Sequence, residues 1–248
     1  IKDAISEMHS VLKFDSSLPI YLYHTGLAYH RAGKLPQAIS YYTNALQAMP
    51  ESKRYKYHLA IAYLQNNEFQ NSVDTYESLG DSRSWMGKAL VYIAQGNYEE
   101  AMEVLNKADN KGQVNLLKGL VYLIQGKDSE SKNFFKKAAN DESIRGISNY
   151  YLGIAHARTQ AMPSAIKAWE DAFQSGLSIQ LIKDDMISVY RQLVPLYFDK
   201  GNLSKVVKIW EKLIEMDPED AETKRNLVHA YFLKGNEYAM SERLTYAI

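Results

Sequence analysis

No cysteine occurs among the 248 residues, which removes disulfides, thiolate zinc sites, iron–sulfur clusters and cysteine nucleophiles together. Neither sign of charge is in excess: 29 Lys plus Arg stand against 29 Asp plus Glu, whereas nucleic-acid binders usually carry a strong basic surplus. No nucleic-acid partner is expected. Long apolar runs are missing as well; the longest, such as residues 120–124, reach about five residues against the roughly 20 that span a bilayer. The chain reads as a soluble fragment without direct membrane insertion, and its sequence does not choose between a cytoplasmic and a periplasmic location.

The motifs of catalysis are absent too. There is no Gly-rich phosphate loop ending in Lys-Ser/Thr, no Gly-x-Ser-x-Gly and no His-Glu-x-x-His. The six His are scattered, and the closest pair, His24 and His30, falls on different faces of one expected helix. The acidic run Asp217-Pro218-Glu219-Asp220 reads as a helix start, with Asp217 as N-cap and Pro218 at the first helical position. No catalytic residue, metal or cofactor is expected.

What the chain does contain is internal repetition. A fixed order of small, aromatic, turn, small, large and small residues recurs: Gly26, Tyr29, Gly33, Ala38, Tyr42, Ala45; then Ala89, Tyr92, Gly96, Ala101, Leu105, Ala108; then Gly119, Tyr122, Gly126, Ser131, Phe135, Ala138. It returns with Gly153, His156, Gln160, Ala165, Trp169 and Ala172, again from Val194 to Pro218 and from Val228 to Ala247, and in a weaker form from Ala60 through Asn67 to Leu79. Apolar spacing within each segment is helical. The small residues mark close helix crossings and Tyr42, Phe135, Trp169 and Trp210 fill the space between helices, while Gly33, Gly96, Gly126, Gly201 and Gly235 are expected to stop the first helix of each pair.

This order resembles the tetratricopeptide repeat over nearly the whole chain. The resemblance implies an all-α, right-handed α-solenoid of seven repeats starting near 19, 53, 82, 112, 146, 187 and 221, with 1–18 as the second helix of a truncated preceding repeat. The spacing of 41 between the fifth and sixth starts, against a family period of 34, places seven extra residues at 175–186, read as a lengthened helix or a joint. Pro195 is expected to kink or break the first helix of the sixth repeat. The chain ends inside a second helix without a polar capping helix, as a fragment would.

In the resembled family the inner positions of each first helix face a concave peptide-binding groove. Here they include Tyr23, Leu27 and Arg31; Arg54, Tyr57 and Ile61; Arg83 and Leu90; Leu116 and Leu120; Tyr150, Ile154 and Arg158; Arg191; and Arg225. Six of the chain's eight Arg fall on these inner positions and none of its 21 Lys, where composition alone would put about one Arg and about three Lys. Arg binds carboxylates bidentately, which Lys does not. The resemblance therefore implies a non-catalytic scaffold whose protein partner, a peptide or helix with acidic and apolar residues, lies in the groove. The alternatives are Arg paired internally with acids of neighbouring helices, a substrate-guiding or regulatory arm of a larger enzyme as in the O-GlcNAc transferases, and a self-associating scaffold, so homo-oligomerisation stays open. The carboxylate clamp of chaperone-binding relatives is not matched: Leu27 and Ile61 stand where it has Asn, and Tyr23 where it has Lys.

Overall fold

The computed structural model describes residues 6, 7, 10, 18–109 and 111–240. Every regular element among them is helical: α1 (Pro19–Arg31), α2 (Leu35–Ala48), α3 (Lys53–Gln65), α4 (Phe69–Glu77), α5 (Ser82–Gln95), α6 (Tyr98–Leu105), α7 (Lys111–Ile124), α8 (Asp128–Ala138), α9 (Arg145–Arg158), α10 (Met162–Gln174), α11 (Ile179–Phe198), α12 (Leu203–Met216) and α13 (Ala221–Met240), with a 3₁₀ turn at Glu142–Ile144. Most of the leading helix read over 1–18, and the end of the seventh repeat at 241–248, lie outside the described residues. The described residues up to 126 and those from 127 onward form two compact units.

Each unit is built from small local cores shared by helices that are near neighbours in sequence, as a repeat stack requires. In the first unit, Leu22, Tyr42, Tyr55 and Leu59 form one core, Tyr76, Leu79 and Val91 the next, and Ala89, Leu105 and Leu117 a third. In the second, Trp169, Ile182, Met186, Tyr190 and Leu213 form the largest core, followed by Val206, Val207 and Ala230.

The pairing depends on close approach. A Cβ added to Gly26 would lie 2.7 Å from the Tyr42 ring, and one added to Gly153 would lie 2.2 Å from Nε1 of Trp169. Ala38, Ala101 and Ala165 are fully buried, as are Tyr42 and Phe135. Trp210 is only partly buried at its core.

The turn inside a helix pair passes through one left-handed residue. Gly33, Gly96 and Gly201 take it with φ of 71°, 80° and 65°, and Asn67 and Gln160 take it with φ of 61° and 58°. Asn tolerates this conformation, whereas an ordinary L-residue is strained there by about 1–2 kcal/mol. Gln160→Gly should accordingly stabilise the second unit by about 0.5–1 kcal/mol after the extra freedom of an unfolded glycine is subtracted. Denaturant titration checks this; an unchanged midpoint would show the strain is absorbed elsewhere.

Three expectations are corrected. Gly235 stops nothing: it lies within α13 with no neighbour crowding its open face, and the helix runs on to Met240. Asp217 is the C-cap of α12, and the N-cap of α13 is Asp220, whose Oδ1 accepts from the amides of Glu222 and Thr223 at 3.0 and 3.3 Å; Pro218 and Glu219 form the turn between them. Pro195 does not break its helix: it lies in the last turn of α11, only the bond to the Arg191 carbonyl is forgone, and the helix continues to Phe198 and closes with the Asp199 amide donating to the Pro195 carbonyl at 2.9 Å. Residues 175–186 comprise the left-handed turn at Gly176 (φ 90°), the N-cap Ser178 and the first two turns of the 20-residue α11, so the inserted stretch is a lengthened helix. Ile182 and Met186, from those turns, are core residues.

Candidate functional site

In the first unit α1 and α3 lie side by side, joined by aromatic and polar contacts. Tyr23 stacks on Tyr55 at 4.6 Å, the guanidinium of Arg54 lies 5.7 Å over the same Tyr23 ring, and His30 spans from the Tyr42 hydroxyl (3.3 Å) to Oε1 of Gln65 (2.7 Å). Tyr23 is only 2% exposed, so it is a core residue and not a lining one; its ring is enclosed by Tyr42, Tyr55 and His58. Leu27, Tyr57 and Ile61 are half-buried, each seated on a core and open on its other side, and Leu90 is 38% exposed. On α7, Leu116 and Leu120 are half-buried too, Leu120 against the third core.

The Arg residues divide into two sets. Arg83 is held by Asp81, with Nη2 2.6 Å and Nε 3.2 Å from Oδ2; the same Asp81 caps α5 through the amide of Arg83 and receives Lys53 at 3.3 Å. The hydrogen bond from the Arg83 side chain, with help from Lys53, holds the Asp81 carboxyl down to about 2. In the second unit Arg158 lies 3.2 Å from Asp128, the first residue of α8, and Arg191 lies 2.7 Å from the capping Asp220. Hydrogen bonds from Thr223 first, then the cap amides and Arg191, hold Asp220 down to about 2. An Asp at a helix N-terminus is already favoured by the helix dipole, and each of these recruits one inner-position Arg. Arg31, Arg54 and Arg225 are exposed and, among the described residues, have no carboxylate partner. Tyr150 and Ile154 are half-buried beside the large core, with the Tyr150 hydroxyl donating to Asp185 at 3.4 Å. The acids that neutralise Arg83, Arg158 and Arg191 were missed from sequence, although Asp81 stands two residues before Arg83 at a helix start.

His58 is enclosed by the rings of Tyr23, Tyr42 and Tyr57. Burial first, then the nearby His30 and Arg54, push its pKa down. The unfolded chain takes up this proton near pH 6.5 and the folded chain only at lower pH, so stability is full above about 6.5 and declines as pH falls below it. The melting temperature of the first unit should drop between about pH 7.5 and about pH 5, and His58→Gln should flatten that slope. An equally steep slope in the variant would place the titration elsewhere.

Among the described residues no group of three or more His, Asp or Glu could hold a metal ion, and no helix is long and apolar enough to cross a membrane.

Paired helices turning through a left-handed residue, with a small residue of one helix set against a large ring of the other, have the architecture of tetratricopeptide repeats. Tetratricopeptide repeat family models match residues 23–81 and 82–110. Among solved structures, the C-terminal part of a TPR repeat-containing protein from Cytophaga hutchinsonii is 13% identical with a TM-score of 0.60, covering 91% of this chain and 94% of that one. The PilF protein of Pseudomonas aeruginosa is 17% identical with a TM-score of 0.56, covering 85% and 97%. The APC/C hetero-tetramer Cut9-Hcn1 is 14% identical with a TM-score of 0.56; the match covers 92% of this chain but only 45% of that one. No curated protein sequence matches the chain. Tetratricopeptide repeats mediate protein–protein interaction, and proteins of this fold are typically non-catalytic scaffolds.

Proposed function

We propose that the chain is a non-catalytic scaffold that binds an acidic and apolar segment of a protein partner on the inner positions of its first helices, most strongly in the first unit. Leu27, Tyr57, Ile61 and Leu90 supply apolar anchors, and Arg31 and Arg54 supply the carboxylate contacts. The observation that carries this reading is the division of the Arg: three are neutralised by Asp residues at helix N-termini, while Arg31 and Arg54 flank half-buried apolar side chains without an acid of their own. A half-exposed floor rimmed by Arg that have no carboxylate partner among the described residues suits a ligand that brings the acids. In the second unit the half-buried Tyr150 and Ile154 of α9 and the exposed Arg225 of α13 are inner-position residues of the same two kinds.

The test starts from a displayed library of random peptides selected on the full chain. Acidic and apolar sequences should be enriched, and Tyr57→Ala and Ile61→Ala should each raise the dissociation rate of one class of them by the equivalent of about 1–3 kcal/mol. Enrichment of sequences indifferent to both substitutions, in variants that melt normally, would overturn the reading. A light-scattering mass that rises with concentration, and falls back in the Ile61 variant, would instead assign this face to self-association.

A further inference from the structure

The second unit carries another groove, on a different side of α11 from its inner positions. It runs between the parallel helices α10 and α12 with α11 as its floor. At one end is a cavity of about 490 Å³ lined by Phe173 of α10, Ile179, Lys183 and Met186 of α11, and Met216 of α12. At the other is one of about 270 Å³ with Leu193 and Tyr197 on its floor and Lys205 and Lys208 on its rim; Tyr190 and Lys212 line both. None of these residues is an inner-position residue. The larger cavity owes its α11 wall to the inserted stretch, since Ile179, Lys183 and Met186 all lie in the first two turns of the lengthened helix.

The charges lining this groove are unbalanced. Lys212 is paired with Glu215 at 2.7 Å, and Glu170 accepts from the Tyr190 hydroxyl at 3.5 Å. Four lysines thus face two acids, of which Glu215 is paired with Lys212 and Glu170 keeps its charge. Lys183, Lys205 and Lys208 have no carboxylate partner among the described residues; Lys205 instead lies 4.6 Å over the Tyr197 ring. The corresponding groove in the first unit, between α2 and α4 over α3, supplies the contrast. Its cavity of about 550 Å³ is lined by Leu46, Pro50 and Leu59 as well as by Thr43, Gln47, Asp74, Thr75 and Ser78, and its Lys56 is paired with Glu51 at 3.7 Å. An outer groove with apolar lining is thus common to both units, and rim lysines without a carboxylate partner among the described residues belong to one of them. Phe173, 52% exposed at the pocket's edge, adds an apolar contact that no described residue covers.

We propose that this outer groove is a second docking site, for a peptide segment that seats a bulky apolar side chain in the larger cavity against Phe173 and Met186 and sets carboxylates on Lys183, Lys205 and Lys208. The distance from residue 163 to residue 174 along α10 is about 17 Å, which about 12 helical residues of a ligand would follow. With both faces occupied, one chain holds two acidic segments at once, which makes the scaffold a bridge.

The same displayed library of random peptides about 12 residues long, selected on the full chain, separates the two sites. One class of acidic and apolar peptides should lose about tenfold or more in affinity on Lys205→Glu/Lys208→Glu and on Phe173→Glu, and be unaffected by Arg31→Glu/Arg54→Glu. Lys205, Lys208 and Phe173 are exposed, so these variants should melt like the parent. The proposal is overturned if no enriched peptide responds to the Lys pair. It is equally overturned if the Lys pair abolishes binding of phosphatidylserine vesicles or of an oligonucleotide while leaving every peptide unaffected, since the groove would then read phosphate and not a protein segment. Neither outcome touches the inner face, whose peptides respond to Arg31 and Arg54.

Discussion

Trp169→Ala should cost the second unit about 3–5 kcal/mol, a large share of an ordinary total stability of about 5–15 kcal/mol. The indole is 1% exposed, lies in the largest core, and donates its N–H to the carbonyl of Tyr150 at 3.1 Å, so truncation leaves both a cavity and an unpaired carbonyl. Gly153→Ala attacks the same contact from the other side, placing a Cβ 2.2 Å from Nε1. Because the ring is fixed by its neighbours, the added methyl should cost about 1–3 kcal/mol. The two effects share one cause, so the Gly153 substitution should cost almost nothing once Trp169 is already Ala. Urea titration of the two single variants and the double variant measures the coupling, and additive costs would show that the contact is looser than 2.2 Å implies.

Gly87→Ala should be the most damaging single methyl in the first unit, at the upper end of about 1–3 kcal/mol. Its Cβ would lie 2.2, 2.3 and 2.5 Å from three atoms of the Tyr76 ring, a collision with the ring face and not with a flexible end. Tyr76 cannot retreat: it is 1% exposed among Ala60, Leu79 and Val91, and burial raises the pKa of its hydroxyl. Tyr76→Leu in the same chain should recover part of the loss. A Gly87→Ala protein with an unchanged midpoint would mean that α4 shifts freely against α5.

Gly87 also shows where the sequence was readable and where it was not. The crossing of helices within a repeat recurs at one offset, so Gly26 opposite Tyr42 and Gly153 opposite Trp169 could be seen by alignment alone. Gly87 sits at the crossing between one repeat and the next, two residues before the aligned Ala89, and has no counterpart to align with. The turns were legible for the same reason, down to Asn67 and Gln160, which occupy the glycine place. Gly235 failed because an open, uncrowded glycine within a helix looks identical in sequence to one that ends it.

The inner face was half legible. Periodicity found the Arg, but whether an Arg is free depends on which acid its neighbour offers, and Asp128 and Asp220 lie 30 and 29 positions from Arg158 and Arg191. Tyr23 was misplaced because an aromatic residue at an inner position can turn inward when large partners such as Tyr55 and His58 wait for it. The outer groove had no sequence signal beyond the lengthened spacing, because its lysines come from two helices and the apolar pocket also draws on a third.

The central claim, that Arg31 and Arg54 are the open carboxylate sites of the inner face, is tested most directly by the binding rates of one Tyr57-dependent acidic peptide to three forms of the full chain. These are the parent, Arg31→Glu/Arg54→Glu, and Lys136→Glu as an exposed control on α8. The paired reversal should slow association about tenfold or more at low salt and flatten the dependence of the rate on ionic strength, because rim charges act over a screening length of about 8 Å at physiological salt. The Lys136 variant should behave as the parent does. Equal association rates and equal salt slopes in the parent and the paired Arg variant, with both melting alike, would contradict the account.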